Sequence, residues 1–214
     1  MESFEKTSRN TVKRIPKRGQ YDKETIYGIL DKNFLCHVSF SMEGHPFIIP
    51  TAYGRIEDTI YFHGATTSRM LQHLENGLPA AVAVTTVDAL VLARSAFHHS
   101  MNYHSVVLFG KATIATGEEK MEGLKAISNQ ILKDRWEECR SPSEKELKAT
   151  TVLVLQIESA SAKITAEGVN DDKEDMTLPY WAGLLPIETM YGKPQPDKGV
   201  ETELPGSIKM VTGC

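Results

Sequence analysis

The sequence predicts a mainly β domain: an antiparallel barrel, closed or split, of six or seven strands with two to four peripheral helices. Runs rich in β-formers recur at 34–40, 46–53, 59–63, 80–93, 105–112 and 151–157. They are joined mostly as hairpins, so helices alternating with parallel strands fit poorly. A barrel also leaves few exposed sheet edges.

The elements follow in order. Residues 1–20 form a basic N-terminal arm, with Lys13, Arg14, Lys17 and Arg18 around Pro16, and read as solvated. The domain proper spans 21–165. Asp22 caps a short helix carrying Ile26, Ile29 and Leu30. The strand from Phe34 to Phe40 turns at Met42-Glu43-Gly44-His45, where Gly tolerates left-handed backbone. A second strand covers Pro46 to Tyr53. Gly54 and Glu57-Asp58 bracket the next turn, and Thr59 to His63 completes a meander. A helix near 67–75 stops at Asn76-Gly77-Leu78-Pro79. The apolar run from Ala80 to Val87 suits a strand buried on both sides. It continues to Arg94 and pairs with 105–112 as a long hairpin with an irregular tip. Residues 118–133 are helical by period, with Met121, Leu124, Ile127, Ile131 and Leu132 on one face. The strand at 151–157 is buried. From 166 to 214 the chain is Pro/Gly-rich and extended, but its island Leu178 to Pro186 is too apolar for a free tail, so it docks on the barrel or on a partner.

Bulk properties exclude several functions. A net charge of -4 and a pI near 6.0 argue against nucleic acid or an anionic membrane as partner. No apolar run approaches the ~20 residues of a membrane helix. No secretory signal follows Met1, so the cytoplasm is the expected compartment. Cys36, Cys139 and Cys214 are too few and too scattered for a disulfide framework or a Cys-x-x-Cys metal site.

Two constellations carry chemistry. The first is Tyr61-Phe62-His63-Gly64-Ala65-Thr66-Thr67-Ser68-Arg69, a strand feeding through small hydroxyl residues into a helix start. Free N–H groups, the helix dipole and the Arg69 charge make an anion site, and a phosphate suits it. The competing reading is a capped surface helix with Arg69 in solvent. The second runs from Arg94 to Ser105 and holds His98, His99 and His104. No carboxylate or thiol lies between 89 and 117, so a metal site is not expected. Arg94, His99 or His104 would donate to a phosphate or a ring oxygen.

Taken in order, Phe47 to Tyr53, Tyr61 to Ala65, Ser68-Arg69, Arg94 to Tyr103, Val106 to Gly110 and Tyr180-Trp181-Ala182-Gly183 resemble the pyridoxamine 5′-phosphate oxidase-like flavoproteins, in the branch that contains the nitroimidazole-resistance proteins. The arm, from Val12-Lys13-Arg14 to Gly19-Gln20-Tyr21, resembles that branch too. The match spans about residues 11–197. The resemblance implies a Greek-key-like, FMN-binding split β-barrel, homodimeric, with an FMN in each of two shared clefts. It implies that Ser68 and Arg69 hold the phosphate and that His63, Gly64, Ala65 and Thr66 line the ribityl chain. Backbone groups of Ile49, Pro50, Thr51, Ala52 and Tyr53 would face the ring. The tip with Arg94, His99 and Tyr103, and Trp181, would close the site from the other subunit. FMN is expected ahead of FAD because the phosphate clamp is short.

The chain departs from the family in two places. His104 stands where the family more often has Arg, which would make any ionic role there pH-dependent. The C-terminal end lacks the Trp and Arg pattern of true pyridoxamine-phosphate oxidases, so vitamin B6 oxidation is not the expected activity. The expectation is an oxidoreductase that passes electrons from NAD(P)H through FMN to a small acceptor such as a nitro compound, quinone, flavin or oxygen. His63 or His99 would supply a proton. A non-catalytic flavin carrier and a split barrel holding haem or F420 are the alternatives; the acidic balance disfavours a DNA-binding regulator.

Overall fold

The computed structural model describes residues 2–213; Cys214 lies outside them. Asp22 accepts from the Thr25 N–H and starts α1 (Lys23–Asp31), as its spacing predicts. The meander follows as β2 (Leu35–Met42), β3 (His45–Ile56) and β4 (Thr59–Ala65). Glu43 and Gly44 both have positive φ, 53° and 78°, the two-residue turn whose twist matches a hairpin. The short helix α2 (Arg69–Leu74) then leads to the long hairpin β5 (Pro79–Leu92) and β6 (Ser100–Ile114), followed by α3 (Gly117–Ile131), α4 (Glu144–Ala149) and β7 (Thr150–Thr165). The remaining elements are β1 (Gly19–Gln20), which precedes α1, and the late β8 (Gly183–Pro186) and α5 (Gly206–Thr212).

All pairings are antiparallel. The order is β1-β7-β4-β3-β2-β5-β6, and β6 also pairs with β7, so six strands close a barrel. β8 adds to the far end of β5. Val38, Phe40, Ile60, Phe62, Val82, Val84, Val106, Leu108, Leu153 and Leu155 fill the barrel, and Ile26 and Leu30 of α1 with Met70, Leu71 and Leu74 of α2 join the same core. The lumen is occupied by side chains, so ligands must bind outside it.

Several expectations need correction. Gly54 is not at a turn: β3 runs on to Ile56, and the turn is Glu57-Asp58 alone. Gly54 is needed because α3 lies directly on it; a Cβ there would sit 2.4 Å from the Ile127 nitrogen and 2.5 Å from the Ala126 carbonyl carbon. Gly123 makes the reciprocal approach to Tyr61, where a Cβ would come within 2.5 Å of the ring. This close contact selects small residues, so α3 buries Gly123 and Ile127, while Met121 is half-buried and Ile131 exposed. The β5 run is buried on one face only: Ala80, Val82 and Val84 point in, and Ala81, Ala83 and Thr85 stay accessible. The N-terminal arm keeps Lys13, Arg14 and Lys17 exposed, as expected, but it is docked rather than free. Phe4 enters the core, Asn10 is buried and donates to the Glu5 and Ala160 carbonyls, and Arg9 and Arg18 pair with Glu158 and Glu167.

Gly54→Ala tests the helix contact. The nearest atoms are backbone and cannot rotate away, so the substitution should destabilise by about 1–3 kcal/mol in chemical denaturation.

Candidate functional site

The β3–β4 ladder ends at Tyr53↔Phe62. Before Tyr53, β3 pairs with β2 alone, while β4 continues against β7. The barrel therefore parts between β3 and β4, and the Ile48–Pro50 edge faces no strand on the β4 side. Pro50 has no N–H to leave unpaired there. Outward-facing residues follow from the alternation: Tyr53 and Phe62 point into the core, so Ala52 and His63 point out. Across the neighbouring strands, His37 and Leu35 of β2 sit opposite Pro50 and Ala52. Leu35 is 50% exposed and Ile48 65% exposed, and His37 and Pro50 are exposed too. Together they make a flat, largely apolar strip on the outer wall. α3 covers the wall next to it, over Gly54 and Tyr61, in a cluster that reaches the half-buried Ala52, and leaves the part from Ile48 to Pro50 bare.

The strip leads to the corner at the end of β4. Thr66 N–H donates to the Ala149 carbonyl at 3.2 Å and Ser68 N–H to the Ala65 carbonyl at 2.9 Å. Those two donors are spent, contrary to the expectation of free groups throughout. Ser68 occupies the N-cap position but its hydroxyl makes no capping bond. The helix has only six residues, so its dipole is small and the corner's charge is that of Arg69. The Arg69 guanidinium stacks over the Phe47 ring at 4.4 Å and has no carboxylate partner among the described residues. Phe47 in turn stacks on Phe40, with ring centroids 5.4 Å apart, which anchors the platform in the core.

Beside the corner a cavity of about 420 Å³ opens on the outer wall of β4 and β7. His63 and Thr150 line it together with Leu124 of α3, Arg140, Pro142, and Glu146 and Leu147 of α4. Desolvation lowers the His63 pKa below its ordinary 6.5, which favours the neutral imidazole. Arg140 grips Glu146 through two bonds of 2.8 and 2.7 Å and, with Ser143, holds that carboxyl far below the usual carboxylate range. The sequence reading missed Arg140, Glu146 and Thr150. The Ser143-x-x-Glu146 capping box was the available signal, and the structure makes it.

The other anticipated residues lie elsewhere. Tyr53 contributes no side chain to the strip; it is buried, and its hydroxyl donates to the Leu30 carbonyl at 2.5 Å. The hairpin tip projects past the barrel. From Ala83, which pairs with His37, to Arg94 is eleven residues, or roughly 36 Å of strand. Within one chain, Arg94, His99 and Trp181 at the far end of the hairpin therefore do not meet Arg69, while Tyr103 lies lower on the hairpin, opposite Val87. Arg94 is engaged: its backbone N–H and guanidinium both bond the fully buried Asp171 carboxylate at 2.8 Å. Its Nε is buried without a partner. His99 bonds the Ala93 carbonyl at 3.2 Å, His98 pairs with Asp172, and His104 with Asp88 at 2.6 Å. Asn102 exchanges two hydrogen bonds with the Glu167 backbone. Trp181 is 68% exposed, standing over Gly183. The tip is thus latched to 167–172, and the apolar island after it faces outward. Burial alone would raise the Asp171 pKa, but the bonds from Arg94 and Ser95 outweigh it and the pKa is lowered.

Because the pKa is depressed on folding, the latch contributes stability above the unfolded value of 3.8 and loses it as pH falls through the folded value. Asp171→Asn should release the segment at neutral pH, seen as faster amide hydrogen exchange across 168–178. Unchanged exchange would show that the latch does not hold the segment.

Sequence and structure comparisons agree on a kinship. The sequence model described as pyridoxamine 5′-phosphate oxidase matches residues 22–164. The FAD and haem binding protein of Mycobacterium smegmatis is 35% identical, with a TM-score of 0.87, over 91% of this chain and 97% of that one. A flavocytochrome of Azotobacter vinelandii is 36% identical, also with a TM-score of 0.87, over 96% of this chain and 97% of its own. A Bacteroides thetaiotaomicron protein assigned to 5-nitroimidazole antibiotic resistance shares the fold, at 23% identity and a TM-score of 0.56 over 78% of this chain and 88% of that one. Comparison with curated protein sequences gave no match.

Proposed function

The chain belongs to the pyridoxamine 5′-phosphate oxidase family, and from that footing we propose that it binds a flavin on the outer wall of the barrel and acts as an oxidoreductase. One observation carries the reading: the bare strip along His37, Ile48 and Pro50 runs to a corner whose Arg69 has no carboxylate partner among the described residues. A planar ring suits the flat strip, and a phosphate suits the corner. Kinship with an FAD and haem binding protein and a flavocytochrome supports the flavin.

The flavin, when bound, supplies hydride and electron transfer between NAD(P)H and a small acceptor. The residues of this chain supply the rest. Arg69, steadied on Phe47, neutralises the phosphate. Pro50 and Ala52 leave a low floor against which a ring lies flat. His63, whose pKa is lowered by desolvation, is placed to take up or give a proton at the edge of the site. No tight catalytic dyad is required.

A second copy of the chain completes the site. The uncovered outer wall carries Ile48 at 65% exposure and the C-terminal island carries Tyr180 at 62% and Trp181 at 68%, a large apolar area for a solitary molecule. A homodimer would cover both and would bring a partner's hairpin tip over the strip. A second reading adds a haem beside the flavin. His37, exposed on the outer wall and without a hydrogen bond among the described residues, is a free imidazole that would hold the haem iron in place of the flavin contact there.

Purified protein should be yellow, release a flavin on denaturation and consume NAD(P)H when given a nitro compound or quinone. A haem would add a Soret band. Colourless protein that binds no added flavin would overturn the reading. Arg69→Ala should weaken flavin binding by roughly 1.5–3 kcal/mol, read by titration of the apoprotein. Light scattering should give twice the chain mass; a monomeric flavin-loaded species would refute the shared site.

A further inference from the structure

We propose that the cavity around His63 is the pocket of the electron acceptor and that the Arg140–Glu146 pair at its mouth selects small uncharged aromatic acceptors; this inference rests on the flavin oxidoreductase reading above. Position supports it first. β3 and β4 run antiparallel, and their ladder stops at Tyr53↔Phe62. The next pair in that register is Ala52 and His63, where the two strands part. The floor for the flavin therefore has two distinct ends: Phe47 meets Arg69, and Ala52 meets His63. A flavin tied down by its phosphate at Arg69 points its ring toward His63. The cavity that His63 lines then opens across the gap from the edge of the ring, where a molecule receiving electrons has to lie.

Size and chemistry agree with position. The volume of about 420 Å³ falls in the lower part of the ~300–1,000 Å³ range of small-molecule sites. Leu124, Pro142 and Leu147 supply apolar wall for the faces of a ring. The His63 imidazole and the Thr150 hydroxyl have no hydrogen-bond partner among the described residues, and each can donate to an oxygen of the acceptor. The charges at the mouth cancel. Arg140 holds Glu146 through two bonds of 2.8 and 2.7 Å. An anionic acceptor is repelled by the Glu146 carboxylate and a cationic one by Arg140, while an uncharged one meets neither. The walls are formed before any ligand arrives. The Ser143–Glu146 capping box starts α4, and Lys120 of α3 donates to the Leu147 and Thr150 carbonyls at 2.7 and 2.6 Å, tying α4 and the start of β7 to α3.

The experiment titrates the oxidised, flavin-loaded protein with 4-nitrobenzamide and with 4-nitrobenzoate, followed by the flavin absorbance, and then uses both as acceptors with NAD(P)H. The two probes share a ring and a nitro group and differ in charge. The amide should bind at least about tenfold more tightly. Glu146→Gln keeps the capping box, which glutamine also completes, and leaves the Arg140 charge uncompensated. It should move the preference toward the carboxylate by about tenfold. Leu147→Trp fills the cavity and should raise the KM for the amide about tenfold with flavin content unchanged. Equal affinity for the two probes in the parent protein, a preference that survives Glu146→Gln, or a KM untouched by Leu147→Trp would overturn the assignment of this cavity alone. Protein that binds no flavin, or whose bound flavin NAD(P)H does not reduce, would overturn it together with the reading it rests on.

Discussion

Residues 153–156 of β7 are paired to β4 on one side and to β6 on the other, and this double pairing closes the barrel. Closure of so few strands around side chains as large as Phe40, Phe62, Leu108 and Leu155 leaves no lumen. Every chemical feature of the protein is therefore displaced to the outer wall. There the alternation along each strand decides what is available: each residue that fills the barrel has neighbours that face out. Cys36 illustrates the inner side, where burial pushes its thiol up to about 12 and makes it inert. His37, the next residue, stands in the open.

The outer wall is then divided by what covers it. The N-terminal arm lies on β7, which is why Ser159 and Ser161 are buried although they face away from the core. The α3 helix covers β3 and β4, and two glycines set its height: Gly54 beneath the helix and Gly123 within it. A helix held this close brings Leu124 down to the wall and, with α4, frames the cavity around His63. The part left uncovered is the strip along β2 and the first half of β3. The candidate site is the remainder after the other elements have taken their places.

Charge is distributed by the same economy. Most cations of the arm and the hairpin tip are paired within the chain: Arg9 with Glu158, Arg18 with Glu167 and Arg94 with Asp171. Such pairing suits an arm that docks rather than one that seeks nucleic acid. Arg69 has an aromatic platform and no carboxylate partner among the described residues, which leaves its charge for an anion from outside.

Much of this was legible in the sequence. Alternation and turn residues specified the meander, the long hairpin and the Asp22 cap, because these are short-range and follow from a few neighbouring residues. The corner was legible for the same reason, since strand, hydroxyl residues and Arg69 are contiguous. Resemblance supplied the family and the split barrel. What the sequence could not decide was proximity between distant segments. Gly54 looked like a turn because nothing local shows that a helix more than sixty residues later will rest on it. Arg94 looked free because Asp171 lies 77 positions away. The cavity around His63 was invisible because its walls come from β4, α3, the 140–142 loop and α4, which only packing brings together. Local chemistry determined which elements form and where an anion would be held; tertiary contact determined which charges were already spent and which face of the wall stayed open.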